Sequence, residues 1–352
     1  MAIFRSSIFS FDTVASRSMR VPKGALLALV LVLFCEVGLH VFADRLPDPV
    51  LWGAGEASAK VAQAEALGAA ATGGIDILIL GPSHASVGVS PHAMLDAADG
   101  ADLLIYNGGI NGRDYPVLQF IFERVYLPTL RPKLIVVTAS PIIFNVEHSM
   151  VAGNTLEFFE APMPKALSAD GLEGRWRRFL VNHVYLYRYR KRERGLALGW
   201  VGGRRLLDDL GYHELKGEFD EEQRERLFAP THGYRGVWED YEFGGMSAHA
   251  FRSIIERAEA RGITVVVINM PFRPELLELP PGDGEAGYRE YLRTMEQLRG
   301  NHKFHWLDYQ SRMELSDADF RDVDHLNNIG TRKLSAQLAE DIRLLEPDIF
   351  GG

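Results

Sequence analysis

Cysteine is almost missing from this 352-residue chain. Cys35 stands alone, so no intramolecular disulfide can form and a folded state must be held by its core. A basic excess is missing as well: the formal net charge is −9, which excludes the broad positive footprint of a nucleic-acid-binding protein. The one glycine-rich loop, Asn107-Gly108-Gly109-Ile110-Asn111-Gly112, has neither the G-x-G-x-x-G spacing nor the lysine of a nucleotide-binding loop. Internal repeats and low-complexity tracts are absent. What remains is 47% apolar and 24% charged, the balance of a folded globular protein with room for one large domain or two ordinary ones.

Long apolar runs are scarce, with one exception. Residues 24–43 (G-A-L-L-A-L-V-L-V-L-F-C-E-V-G-L-H-V-F-A) are long enough to cross a bilayer as a helix, although Glu36 and His40 interrupt the second half. Arg5, Arg17, Arg20 and Lys23 precede the run, with Asp12 the only acid among them, and Asp44, Arg45 and Asp48 follow it. That asymmetry keeps residues 1–23 in the cytoplasm as a short tail and exports the rest. We read an uncleaved single-pass anchor. The alternatives are a removed signal peptide, because Val41-Phe42-Ala43 resembles a cleavage site, and a buried core helix, which the basic flank disfavours.

Beyond the anchor, residues 44–74 are rich in Ala, Gly and Glu and read as a helical stalk ending at Gly73-Gly74. A domain then begins. Apolar runs at 75–80, 103–106, 133–138, 264–269 and 304–307 read as short strands, those at 75–80 and 133–138 buried on both faces. Helical spacing of apolar residues falls at 91–98, 115–127, 248–261, 288–298 and 328–344, the last with Leu334, Leu338 and Ile342 on one face. The alternation β-α-β-α-β predicts an α/β fold with about five parallel strands and right-handed crossovers. Residues 141–245 break it as a mixed, aromatic and charged insertion without a clear strand. Within it, 175–194 reads as a basic amphipathic helix with Phe179, Val184 and Leu186 inward. A lid, a surface for anionic lipid and a partner face are the functional alternatives for this helix.

Three sites stand out. Ser83 lies just past the Gly81-Pro82 break that ends the first strand, where open α/β sheets place ligands. Taken alone, such a serine is better explained as a helix cap. The glycine loop 107–112 follows the second strand and can bring backbone N–H groups close to a developing oxyanion. Asp322-Val323-Asp324-His325 precedes the last helix. A serine needs a base, and a histidine base needs a carboxylate to set its tautomer. Asp322 and Asp324 both lie close enough in sequence to serve His325, so these sites supply the parts of an acyl-transfer centre. No second histidine sits at ligand spacing in that block, so no metal is expected and no cofactor is called for. His84, directly after Ser83, reads as lining the pocket; His148, His183, His232 and His249 read as surface or packing residues.

These three blocks resemble the SGNH (GDSL-type) hydrolase superfamily over about residues 75–345. Gly81-Pro82-Ser83 looks like its G-D-S block with Pro for Asp, Asn107–Gly112 like its second block with Gly109 as the central glycine, and Asp322-x-x-His325 like its final D-x-x-H. The phrase D-H-L-N-x-x-G at 324–330 is closest to the membrane-anchored branch, which includes the D-alanyl transfer protein and SGNH-like proteins of polysaccharide O-acetylation. The resemblance implies a flavodoxin-like three-layer α/β sandwich. It implies Ser83 as nucleophile, His325 as base and Asp322 as orienter (Asp324 being the alternative), with the N–H groups of Ser83 and Gly109 in the oxyanion hole. The family's third block, G-x-N-D, is absent: the third strand runs into Thr138-Ala139-Ser140-Pro141, and Asn111 or Ser140 are the substitutes for its asparagine. The expected activity is that of a serine esterase or O-acyltransferase on an acylated cell-envelope glycan or exopolysaccharide outside the cytoplasm, alongside a membrane-bound acyltransferase partner. The competing expectation is a non-catalytic assembly or binding protein on the same fold.

Overall fold

A computed structural model of the protein describes residues 22–42, 55–71, 73–98, 102–146, 172–189 and 207–350. The chain divides into two units, 1–46 and 47–352. In the first, helix α1 (Lys23–Val41) buries none of its side chains and is long and apolar enough to cross a membrane. Nearly all of the expected cytoplasmic tail, and residues 44–54 of the expected stalk, lie outside the described residues.

The second unit runs α2 (Gly55–Ala70), β1 (Ile77–Leu80), α3 (Ser83–Gly88), α4 (Pro91–Ala97), β2 (Ile105–Asn107), α5 (Tyr115–Ile121), β3 (Leu134–Ala139), α6 (Leu172–His183), α7 (Gly245–Glu259), β4 (Thr264–Asn269), α8 (Gly284–Asn301), β5 (His305–Asp308) and α9 (Asn328–Leu345). The strands form one all-parallel sheet in the order β2-β1-β3-β4-β5. Successive residues point to opposite faces of a strand, and here both faces are apolar because both are covered. Leu78, Leu80, Ile135, Val137, Val265 and Val267 pack on one side with α2, α5 and α7. Ile77, Ile79, Leu134, Val136, Val266 and Ile268 pack on the other with α4 and α9. This is the flavodoxin-like three-layer order, whose ligand crevice opens at the carboxyl ends of the strands where the order reverses, between β1 and β3.

The elements follow local chemistry. Leu334, Leu338 and Ile342 of α9 are fully buried, as their spacing predicts. Its N-cap is Asn327, whose Oδ1 accepts from Ile329 N (2.9 Å) and Gly330 N (3.1 Å). Ser90 caps α4 with Pro91 at its first position. The helical path does not stop at 127: beyond α5 it runs through a widened turn at Phe122–Tyr126 and a last turn at Leu127–Leu130, where Arg131 takes a left-handed conformation (φ 46°).

Three expectations need correction. The helix at 55–70 forms, but it is no free stalk. Ala57, Lys60, Val61 and Ala64 are buried, and Ala57, Val61 and Ala64 share the core face with α5. The small side chains let the backbones come close: a Cβ on Gly68 would lie 2.5 Å from the Thr129 carbonyl oxygen. The segment 141–245 has no strand among its described residues, as expected, yet its second half is woven into the domain. Asn107 N donates to Leu210 O (2.9 Å), His213 N to Ser86 O (3.1 Å) and Phe219 N to Phe320 O (2.9 Å), and Trp238 is buried. Finally, Phe179 on α6 points outward beside the exposed Trp176, whereas Val181 faces in. Residues 190–194 of that expected helix, and His148, lie outside the described residues.

Candidate active site

Strand β1 ends at Leu80 and the chain turns through Gly81-Pro82. Glycine is required at 81 because a Cβ there would fall 2.1 Å from Thr138 Oγ1. Ser83 then opens α3 as its first residue. The cap position belongs to Pro82, which makes no side-chain cap bond, so Ser83 is not the helix cap that its type alone suggests. Its hydroxyl instead meets His325: Ser83 Oγ and His325 Nε2 are 2.8 Å apart, across 242 residues of chain.

His325 is held from its other nitrogen. Nδ1 lies 2.9 and 3.1 Å from the two oxygens of Asp322 and 3.1 Å from Asp324 Oδ1. The two acids differ in setting. The Asp322 side chain is 41% exposed, and its Oδ1 also accepts from the backbone N–H groups of Asp324 (3.1 Å) and His325 (2.8 Å), which closes the loop on itself. Asp324 is fully buried. It accepts from Tyr234 Oη (2.9 Å) and from His84 Nε2 (3.1 Å), and the His84 ring stacks on His325 with centroids 4.9 Å apart and planes 12° from parallel. Burial alone drives His325 toward neutrality, but the Asp324 and Asp322 carboxylates outweigh it and hold the imidazole pKa well above its ordinary value. Burial pushes Asp324 the other way from its final state too: it favours the neutral acid, and the adjoining His325 and His84 overcome it and hold the carboxyl well below the usual range.

His84 is therefore a partner of Asp324 and not simply pocket lining. It also supplies the second histidine that the block itself lacks. Three ligand-type atoms from His84, Asp324 and His325 lie within 4.8 Å of one another. Asp324 lies 3.1 Å from a ring nitrogen of each histidine, at direct hydrogen-bond separation. We read them as a relay.

The glycine loop lies against the same end of the sheet. Gly108 N donates to Ile79 O (2.8 Å) and Ile110 N to Gly81 O (3.1 Å). Buried Asn107 locks it to α3 through Nδ2, which donates to the carbonyls of Ala85 and Val89 at 2.7 Å each. The Gly109 N–H, which the resemblance puts in the oxyanion hole, donates to Asn107 Oδ1 (3.0 Å) here. Gly109 is needed for close packing, since a Cβ would sit 2.5 Å from Ala85 Cβ and 2.7 Å from Ser86 N. Gly109→Ala is expected to destabilise the fold by about 1–3 kcal/mol through overpacking, measured by denaturant unfolding; wild-type stability would contradict it. Asn111 commits one amide hydrogen to His213 Nδ1 (3.1 Å), and Ser140 is buried past β3 with its carbonyl accepting from Ile143. The N–H groups of Ser83, at the first position of a helix, and of Gly112, at φ 63°, meet no acceptor among the described residues.

The sequence reading missed Tyr234 and the true place of His84. Adjacency to Ser83 marked His84, but no spacing signal links Tyr234 to a carboxylate 90 residues on.

No family model matches the chain, and no curated protein matches it. Solved structures similar to it in fold include three esterases or lipases. One is a lipase/acylhydrolase from Enterococcus faecalis (12% identity, 76% of this chain and 96% of that one, TM-score 0.37). Another is a GDSL-like lipase from Bacteroides thetaiotaomicron (11%, 77% and 88%, TM-score 0.37). The third is a catalytic mutant of an acetylxylan esterase from Geobacillus stearothermophilus (10%, 76% and 94%, TM-score 0.38).

Proposed function

We propose that the chain is a serine esterase or O-acyltransferase, anchored by α1 with its α/β domain outside the cytoplasm, that handles acyl groups on a cell-envelope or exported glycan. The supporting observation is the continuous relay from Ser83 Oγ through His325 to two carboxylates. Ser83 attacks the ester carbonyl carbon as its proton passes to His325 Nε2. The Ser83 N–H, free at the first position of α3, holds the oxyanion. His325 returns the proton to the leaving alkoxide, and an acyl-serine remains. Water or a sugar hydroxyl then gives up its proton to His325 as it attacks the acyl carbon, and His325 passes that proton to Ser83 Oγ as the acyl–oxygen bond breaks, which frees Ser83. The glycan class rests on the family resemblance of the D-H-L-N-x-x-G phrase and on a tether that holds the domain at the membrane surface.

The test is a fluorophosphonate probe on the full chain in detergent, with the adduct mapped by mass spectrometry. Attack by Ser83 Oγ on phosphorus with loss of fluoride is expected to place the label on the Ser83 peptide. A folded chain that takes no label there contradicts the catalytic reading and returns the fold to a binding role.

A further inference from the structure

We propose that Lys60 and Glu56 of α2 are positioning residues for the glycine loop of the active site; the inference rests on the acyl-transfer reading above. Four of the helix residues face the core, and one of them is a lysine whose side chain is completely buried. An ammonium group is costly to remove from water, and the same helix has an exposed face at Ala59, Ala62, Glu65 and Ala66 where a lysine would cost nothing. A residue that needed only to pack would be apolar.

The contacts explain the choice. Lys60 Nζ donates to the Gly109 carbonyl oxygen in a very close contact, and to Asn107 Oδ1 (3.4 Å) and Ser86 Oγ (3.3 Å). One turn earlier, Glu56 Oε1 accepts from Ser86 Oγ (2.6 Å) and from the backbone N–H of Asn111 (3.2 Å), and lies 3.7 Å from the Lys60 ammonium. The two charges therefore grip consecutive peptide planes. In a trans peptide the C=O and the following N–H point in opposite directions. With the Gly109 C=O drawn to Lys60, the Ile110 N–H is turned to Gly81 O (3.1 Å), the turn that carries Ser83. Glu56 then sets the next plane through Asn111 N–H, and the Gly112 amide follows directly. Tyr106 Oη fixes the helix from below by donating to the Lys60 carbonyl (2.7 Å). The burial that makes the lysine costly also lowers its pKa to about 8, opposed by Glu56 and Asp208.

The test uses the full chain in detergent, with fluorophosphonate as probe and thermal unfolding as the fold control. Lys60→Met is expected to lower the first-order labelling rate at saturating probe by about 10- to 100-fold, with the half-saturating probe concentration unchanged, since misplacement of the loop acts on the reacting geometry and not on probe uptake. Glu56→Ala is expected to speed hydrogen exchange at the Asn111 amide and to lower the same rate. If Lys60→Met does not fold, Glu56→Ala, at the partly exposed start of the helix, decides by both readouts. A labelled wild type whose folded variants react at the wild-type rate overturns this inference and leaves the proposed function standing. A wild type without label overturns the proposed function. In that case exchange at Ile110 and Asn111 still decides the positioning claim, which falls if both amides exchange alike in wild type and variants.

Discussion

Replacement of His325 by alanine is expected to lower ester turnover and probe labelling by on the order of 10⁴-fold or more, and Ser83→Ala to do the same. Ser83 Oγ lies 2.8 Å from His325 Nε2, so the serine is activated only when that nitrogen can take its proton. Without the base, a hydroxyl must attack unassisted; without the hydroxyl, the base has nothing to deprotonate except water. The two losses should not add: the double variant is expected to be no slower than the slower single one, because each removes the same step. Ser83 is partly exposed and alanine removes only its Oγ, so thermal unfolding should stay near wild type in that variant. Rates measured with a chromogenic acetate ester, with labelling as the parallel readout, check this. Losses that multiply in the double variant would show that Ser83 and His325 act separately and would sink the relay.

How much of this was visible in the chain can be argued residue by residue. The strands were legible because each is short, apolar and bounded by Gly, Pro or a polar turn. The closing helix was legible because Leu334, Leu338 and Ile342 repeat at helical spacing. Ser83 and His325 were legible because both flank such elements at the end where open sheets bind ligands. Helix α2 was misread for a physical reason: its Ala and Gly residues bury little area each, so composition suggests a solvated stalk, whereas small size is what permits close packing. Lys60 carries the same lesson, since a lysine in an alanine-rich helix looks solvated until the acceptors it serves, 26 to 49 residues away, are brought to it. The motif gives Gly109 an oxyanion role, while in the structure its N–H is bonded to Asn107 Oδ1 two residues before it. Such a bond depends on loop conformation and leaves no trace in spacing.

The choice between the two acids gives the second large effect. Sequence spacing points to Asp322, and both carboxylates reach His325 Nδ1. Their surroundings separate them. Asp322 is 41% exposed, so its attraction for the imidazolium is screened by water and salt. Asp324 is buried and receives Tyr234, His84 and His325 together. Asp324→Asn keeps the shape but removes the charge and turns an amide N–H toward groups that donate, leaving buried donors unpaired at about 1–3 kcal/mol each. It is therefore expected to lower kcat by on the order of 10²- to 10⁴-fold, as loss of a triad acid does through the wrong tautomer, and to lower the unfolding midpoint. Asp322→Asn should cost about 10-fold or less and leave stability near wild type, as for an exposed pair. The pH profile gives the sharper discrimination. A general base works unprotonated, so kcat/KM rises with pH through the His325 pKa, and because that pKa is held well above 6.5 the wild-type limb lies on the alkaline side of the ordinary histidine value. Asp324 exerts the larger coulombic attraction on the imidazolium. Its neutralisation should shift the limb to lower pH by more than Asp322→Asn does, and high salt should shrink the Asp322 effect but not the Asp324 effect. A larger shift from Asp322→Asn, with Asp324→Asn near wild type, would assign the orienting role to the exposed acid and leave the buried one as a structural anchor for Tyr234 and His84.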